Sequence, residues 1–247
     1  MIPFFDASCA IGKAVAPNTG SFQDAATLIE KMQLCNIEKA LVWQTSALEY
    51  HPRQGNEEIL KVTGENENLL PVWVVMPNHT GEFYDPPELV SLIKKHNVRA
   101  VKLFPGYEFL AYSLEEWSCG ELFAQLAENG VPVLIDAEQT DWNTIYSICR
   151  RYPNLKLIVT KVYYRYGRYF YPLLRKLSNL YIETSFYKSF MGIEDICQRF
   201  GAERLVFGTT MPLFDPGPAV AMIWRANISQ EEKELIASRN LERILGI

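Results

Sequence analysis

Short apolar runs, each closed by turn residues, alternate along this chain with longer segments whose apolar positions recur at helical spacing. The runs at 3–6, 40–44, 71–75, 100–104, 131–135, 157–160, 180–183 and 205–208 are largely continuous in apolar character. A strand with one wet face alternates apolar and polar residues. Continuous runs instead mark strands buried on both faces, as in a parallel sheet covered by helices. Between them, 21–34, 87–95, 116–128, 142–152, 170–177 and 193–200 place apolar residues three and four apart and read as amphipathic helices. Ser229-Gln-Glu-Glu232 has the form of a capping box and opens a closing pair of helices. Eight strand–helix alternations within 247 residues predict an α/β chain folded as a single (β/α)8 TIM barrel rather than a doubly wound sheet. The Pro/Gly-rich pieces at 85–88 and 215–218 are short loops, so residues 1–247 read as one domain.

In such a barrel the C-terminal strand ends and the loops after them meet at one mouth, where chemistry takes place. Reading those positions off the predicted strands gives Lys102, Asp136, Lys161, Glu183 and Thr210, with Ser8 past the first strand. Asp136 and Lys161 end neighbouring strands. They form either an acid/base or anion-binding pair, or a salt bridge that holds two strands together. Lys102 needs a partner if buried, and Asp136 or Glu138 would supply it. It is alternatively a ligand for a carboxylate or phosphate; a Schiff-base role has no further support in the sequence.

The loop Val162-Tyr-Tyr-Arg-Tyr-Gly-Arg-Tyr-Phe-Tyr171 has the most unusual composition. Tyr163, Tyr164 and Arg165 suit a pocket for a sugar, an aromatic acid or another anion. Residues 168–171 are assigned instead to an oligomer interface, where Tyr and Arg are enriched. Ser8 and Cys9 have no base adjacent in sequence, and no Gly-x-Ser-x-Gly elbow occurs. Asp6 reads as a structural hydrogen-bonder.

Composition narrows the partners. A net charge of −5, with no basic arm, argues against nucleic acid. No apolar run approaches the roughly 18 residues needed to span a bilayer, and the start lacks a leader's basic region, so a cytoplasmic protein without a membrane partner is expected. The five cysteines are scattered without Cys-x-x-Cys spacing and are expected to be reduced thiols. There are three histidines, His51, His79 and His96, and none follows residue 96.

Several segments in order resemble one family. Arg204-Leu-Val-Phe-Gly-Thr-Thr-Met-Pro212 is similar to a final barrel strand ending Gly-Ser-Asp-x-Pro. Val98-Arg-Ala-Val-Lys-Leu-Phe-Pro105 resembles a Gly-x-Lys-Leu-x-Pro element. Residues 122–136 resemble a helix followed by Gly-x-Pro-Val-x-Ile-His, and 153–161 a Pro-x-Leu-x-Ile-x-x-x-His strand. Ser238-Arg-Asn-Leu-Glu-Arg-Ile-Leu-Gly246 is similar to a closing Gly-Asn-x-x-Arg-Leu-Leu helix. Together they identify the chain as resembling the amidohydrolase superfamily, in its amidohydrolase-2 branch of metal-dependent hydrolase barrels.

The resemblance implies metal-ligating histidines on strands one, five and six and an Asp on strand eight. At the matching positions stand Ser8 and Ala10, Asp136, Lys161 and Thr210. A catalytic divalent ion takes about three protein ligands from imidazole, carboxylate or thiolate, and Asp136 alone qualifies. No metal and no cofactor is therefore expected, with Lys161 and Lys102 supplying the positive charge. The leading expectation is metal-independent hydrolysis of a lactone or ester of a small anionic or carbohydrate-derived molecule. Asp136 would act as general base, Lys161 and Arg165 as oxyanion stabilisers, and Ser8, Tyr163 and Thr210 as binding groups. Two readings compete: a pseudoenzyme that binds a ligand or partner without turnover, and a hydrolase whose metal has moved to His51 or His79 with Asp6 or Asp136. A small-molecule ligand is expected in each, with a homo-oligomer through the aromatic loop as a further expectation.

Overall fold

Eight parallel strands pair in sequence order, β1 to β8, with helices in the connections. The computed structural model describes residues 2–13 and 23–247. The strands are β1 (Phe4–Ile11), β2 (Ile37–Gln44), β3 (Leu69–Val74), β4 (Ala100–Leu103), β5 (Val133–Asp136), β6 (Leu157–Thr160), β7 (Leu180–Glu183) and β8 (Leu205–Val206). Every residue of β4, β5, β6 and β7 is buried, as continuous apolar runs require of a sheet covered on both faces. The ring closes between β8 and β1: the Ala7 amide donates to the Phe207 carbonyl at 3.0 Å and the Ala10 amide to the Met211 carbonyl at 2.8 Å. Asp6 staples the same seam, accepting from the Thr209 amide at 3.1 Å and the Thr209 hydroxyl at 2.5 Å. The result is the (β/α)8 barrel that the alternation predicts.

Alternation along the strands sorts the interior into layers. Phe5, Leu41, Val72, Ala100, Leu134, Ile158, Tyr181 and Val206, one from each strand, form a single apolar cluster that Leu241 and Ile244 of the last helix complete. Two residues further along β4 to β8 come Lys102, Asp136, Thr160, Glu183 and Gly208. The period of two therefore puts a polar tier on one side of the barrel directly above the apolar plug.

The helices are α1 (Ala25–Leu34), α2 (Ser46–Glu49), α3 (Pro52–Glu65), α4 (Pro86–Lys95), α5 (Glu116–Glu128), α6 (Trp142–Arg151), α7 (Gly167–Lys176), α8 (Gly192–Phe200), α9 (Gly217–Arg225), α10 (Gln230–Glu234) and α11 (Asn240–Leu245). Of the helix expected over 21–34, residues 21–22 lie outside the described residues and the helix begins at Ala25, capped by Asp24. The capping box at Ser229 is present. It opens α10, which runs through a π-helical turn at Leu235–Arg239 into α11, while the other closing helix, α9, precedes it. The sequence reading missed α3. Its buried positions include Gly55 and Asn56 beside Pro52 and Ile59, so it carries no clean apolar stripe. Asn56 instead pairs its side-chain amide with the Val74 amide and carbonyl, both at 2.9 Å, tying α3 to the end of β3. Among the described residues, no helix is long and apolar enough to cross a membrane.

Candidate functional site

The polar tier is organised around one carboxylate. Asp136 closes β5 and is 3% exposed. Its Oδ1 accepts from Lys102 Nζ at 2.7 Å and the Thr160 hydroxyl at 2.5 Å, and its Oδ2 from Lys161 Nζ at 2.7 Å. Burial alone would raise this carboxyl, but the charges and hydrogen bonds of the two ammonium groups outweigh it and hold the group well below the usual carboxylate range. Burial pulls Lys102 down and Asp136 opposes it, with the Lys161 charge adding to the fall. Lys102 is sealed, whereas the Lys161 side chain is 28% exposed. The outward part of the clamp is thus a single ammonium. Both lysines were expected near Asp136, and the structure brings all three together.

A second carboxylate lies two strands away. Glu183, at the end of β7, is fully buried and accepts from the Ser185 amide at 2.5 Å and the Ser185 hydroxyl at 2.7 Å. Ser185 Oγ also lies 2.7 Å from Thr210 Oγ1. Burial pushes the Glu183 carboxyl up to about 7; the Ser185 donors and the Lys161 backbone amide oppose the rise, and the Asp6 charge adds to it. Gly208 makes this approach possible, because a Cβ there would clash with both Glu183 Oε1 and Ser8 Oγ. Ser8 Oγ accepts from the Thr210 amide at 3.3 Å, so these two expected binding residues do meet. Ser185 was not singled out from sequence; its signal was the continuation of the β7 alternation, Tyr181, Glu183, Ser185, onto the inward face.

The opposite side of the mouth is apolar. Val74, Phe104 and Ala47 pack together with Trp43. Lys102 Nζ stands 5.1 Å from the Phe104 ring centroid and 5.7 Å from that of Trp43. Over the β6, β7 and β8 connections, Tyr163 meets Phe186 edge-on at 5.1 Å, and Phe186 lies 5.1 Å from Phe214. Tyr163 and Tyr164 are exposed rim residues. Arg165 is exposed on the same loop, where it bonds Tyr164 Oη at 3.1 Å, and no described contact joins it to the Asp136 cluster.

Within the stretch 168–171, expected at an oligomer interface, the side chains divide between the interior and the surface. Phe170 is fully buried, and Tyr171 Oη bonds Tyr187 Oη at 2.9 Å and Asp195 Oδ2 at 2.7 Å. Both pack inside the chain, leaving Arg168 and Tyr169 exposed. Ser8 and Cys9 both lie within β1 rather than past it. Cys9 is fully buried, and burial together with the Asp6 charge raises its thiol well above the usual range, which disfavours the thiolate. Left-handed backbone at non-glycine residues occurs at both ends of the barrel, with Asn36 and Asn97 before β2 and β4. Lys161, Thr210, Met191 and Ala111 all adopt left-handed φ, at 53°, 60°, 51° and 51°, in connections that follow strand C-terminal ends. Each costs about 1–3 kcal/mol for a residue with a Cβ, and such strain clusters at functional sites.

A divalent ion needs several free anionic or imidazole donors converging on one point. Here both Asp136 oxygens hold ammonium groups, and Asp6 and Glu183 are engaged by hydroxyls and amides. His51 Nδ1 accepts from the Arg53 amide at 3.1 Å at the start of α3, and His79 Nε2 contacts the Ser118 carbonyl at 3.1 Å. Among the described residues, no group of three or more His, Cys, Asp or Glu side chains is placed to hold an ion. Among the described residues, the donors at the barrel mouth and around His51 and His79, engaged in this way, do not fit a divalent metal.

Comparison with known proteins agrees with the architecture. A family model described as amidohydrolase, the amidohydrolase-2 family, matches residues 85–247. No curated protein gives a significant match. Among solved structures, the chain is similar to an uncharacterized TIM-barrel protein from Bordetella bronchiseptica, at 18% identity and TM-score 0.78 over 99% of this chain and 98% of that one. It is also similar to 2,6-dihydroxybenzoate decarboxylase from Rhizobium, at 14% identity and TM-score 0.76 over 100% and 99%. A third is 5-carboxyvanillate decarboxylase from Novosphingobium aromaticivorans, complexed with manganese and 4-hydroxy-3-methoxy-5-nitrobenzoic acid, at 13% identity and TM-score 0.77 over 99% and 96%. At these identities the likeness is one of fold.

Proposed function

The chain belongs to the amidohydrolase family, and from that premise we propose that it hydrolyses a lactone or ester of a small organic anion at the barrel mouth, with an ammonium pair in place of a metal centre. The observation that supports this most is the double clamp on Asp136, whose outer member Lys161 is partly exposed. Lys102 and Asp136 fix the Lys161 ammonium, which then faces the charge that develops on the acyl oxygen. A positioned cation of this kind stabilises an oxyanion in the transition state.

The general-base role moves from Asp136 to Glu183. A carboxylate held far below its ordinary range by two ammonium groups is ionised but weakly basic. A carboxyl near 7 is poised to take and return a proton at neutral pH. Water attacks the acyl carbon and its proton passes toward Glu183. The acyl C–O bond then breaks, and the departing alkoxide recovers that proton. Ser8 and Thr210 offer hydroxyls beside the polar tier, Trp43 and Phe104 an apolar wall, and Tyr163 and Arg165 a rim contact for the incoming anion.

The test is a panel of carboxylate-bearing lactones and esters, followed for hydrolysis and, because the structural neighbours include decarboxylases, for carbon dioxide release. Hydrolysis by the wild type that falls about 100-fold or more in Lys161→Met and in Glu183→Gln is expected. Carbon dioxide as the product would replace the hydrolytic reading, and turnover that survives both substitutions would remove the site assignment. A second reading has its own support. Asp136 accepts three donors and Asp6 three, a saturation that suits a barrel retained for binding without turnover. Calorimetric binding of panel anions without any turnover, lost in Lys161→Met, would favour it.

A further inference from the structure

Glu183 is fully buried, so a proton it accepts or releases needs a path to the mouth. We propose that the hydroxyls of Ser185 and Thr210 form that path. Glu183 Oε2, Ser185 Oγ and Thr210 Oγ1 follow one another at 2.7 Å and 2.7 Å, both within strong O–H···O range. Ser185 is buried and Thr210 is half-buried, so the chain of hydroxyls runs from the closed interior to its one partly open member. The other described contacts of this carboxyl are the backbone amides of Ser185 and Lys161, which donate but do not pass a proton on.

The charged neighbours do not offer another route. Asp6, from β1, is held by Thr209 and the Ser8 amide. Lys102, from β4, and Lys161, after β6, point their ammonium groups at Asp136 of β5. Cys9 keeps its proton, since burial and Asp6 raise its thiol.

Transfer is a concerted shift along the hydroxyls. As the proton leaves Glu183 Oε2 for Ser185 Oγ, the Ser185 proton moves to Thr210 Oγ1, and the Thr210 proton moves to a water or substrate oxygen. Three O–H bonds break and three form, and neither hydroxyl is left charged. The reverse shift reprotonates Glu183. The left-handed backbone at Thr210, φ 60°, is the local conformation at the outer end of the path. The purpose of the path rests on the base role proposed for Glu183, whereas the path itself does not.

Stopped-flow infrared spectroscopy after a pH jump tests it without substrate, so failure here and failure of the hydrolytic reading are separate results. The Glu183 carboxyl band is assigned by its loss in Glu183→Gln. Protonation is expected to slow about tenfold or more in Thr210→Val and in Ser185→Ala, the change brought by losing one hydrogen-bonded step. Thr210→Ser, which keeps the hydroxyl, is expected to retain the wild-type rate. Should Ser185→Ala fail to fold, the Thr210 pair decides alone. Wild-type rates in Thr210→Val, or slow protonation that Thr210→Ser does not restore, would overturn the proposal.

Discussion

Glu183 and Asp136 are carboxylates two strands apart, both almost wholly buried, and their surroundings pull them in opposite directions. Two ammonium groups face Asp136. The effect of burial on Glu183 is opposed chiefly by the neutral donors of Ser185 and the Lys161 backbone amide, and the Asp6 charge works against its ionisation. The consequences for stability have opposite signs. Asp136, lowered in the folded chain, contributes stability that is present above its ordinary value and lost only as pH falls through its depressed one, in strong acid. Glu183, raised to about 7, contributes stability that is full below its ordinary 4.5 and lost as pH rises toward 7. At about 1.4 kcal/mol per pKa unit, the loss is on the order of 3 kcal/mol. Urea unfolding from pH 5 to pH 8 is therefore expected to show a decline in wild type that flattens in Glu183→Gln. Parallel curves for the two proteins would show that Glu183 titrates normally.

At the scale of elements, α3 carries a paired test of why glycine stands where it does. Gly55 lies where a Cβ would clash with the backbone of Ala47 in α2, whereas Gly64 in the same helix has open space around it. Gly55→Ala is expected to destabilise by about 1–3 kcal/mol, and Gly64→Ala to stabilise by roughly 0.5–1 kcal/mol. Thermal melts check both; a stabilised Gly55→Ala would mean that α2 and α3 do not pack this closely. This helix also marks where the sequence stopped being legible. Barrel strands announce themselves through continuous apolar runs, so all eight were readable, with ends displaced by a few residues. The period of two then delivers Lys102 and Asp136 to the mouth, with Lys161 immediately after β6. Helix α3 is held by an amide pairing and a close glycine approach rather than an apolar stripe, and no periodicity reports that. Ser185 and Thr210, 25 positions apart, meet because β7 and β8 pair, and Asp6 and Thr209, 203 positions apart, because the ring closes between β8 and β1; neither contact is written in local periodicity. In the aromatic loop, composition alone did not separate Phe170 and Tyr171, which face inward, from the exposed Tyr169.

Across the whole molecule, the mouth is divided between an apolar wall from β2 to the β4 connection and a polar tier from β4 to β8. In that tier, ammonium groups occupy the neighbourhood in which the family resemblance implies a divalent ion. The most direct measurement is elemental analysis of the protein purified from medium supplemented with zinc and manganese, combined with thermal unfolding before and after chelation. A site whose carboxylate already holds two lysines gives an ion no return for its lost hydration. The predicted result is a metal content well below about one ion per chain and a melting curve unmoved by chelation. About one zinc or manganese per chain, whose removal lowers the melting temperature, would contradict it.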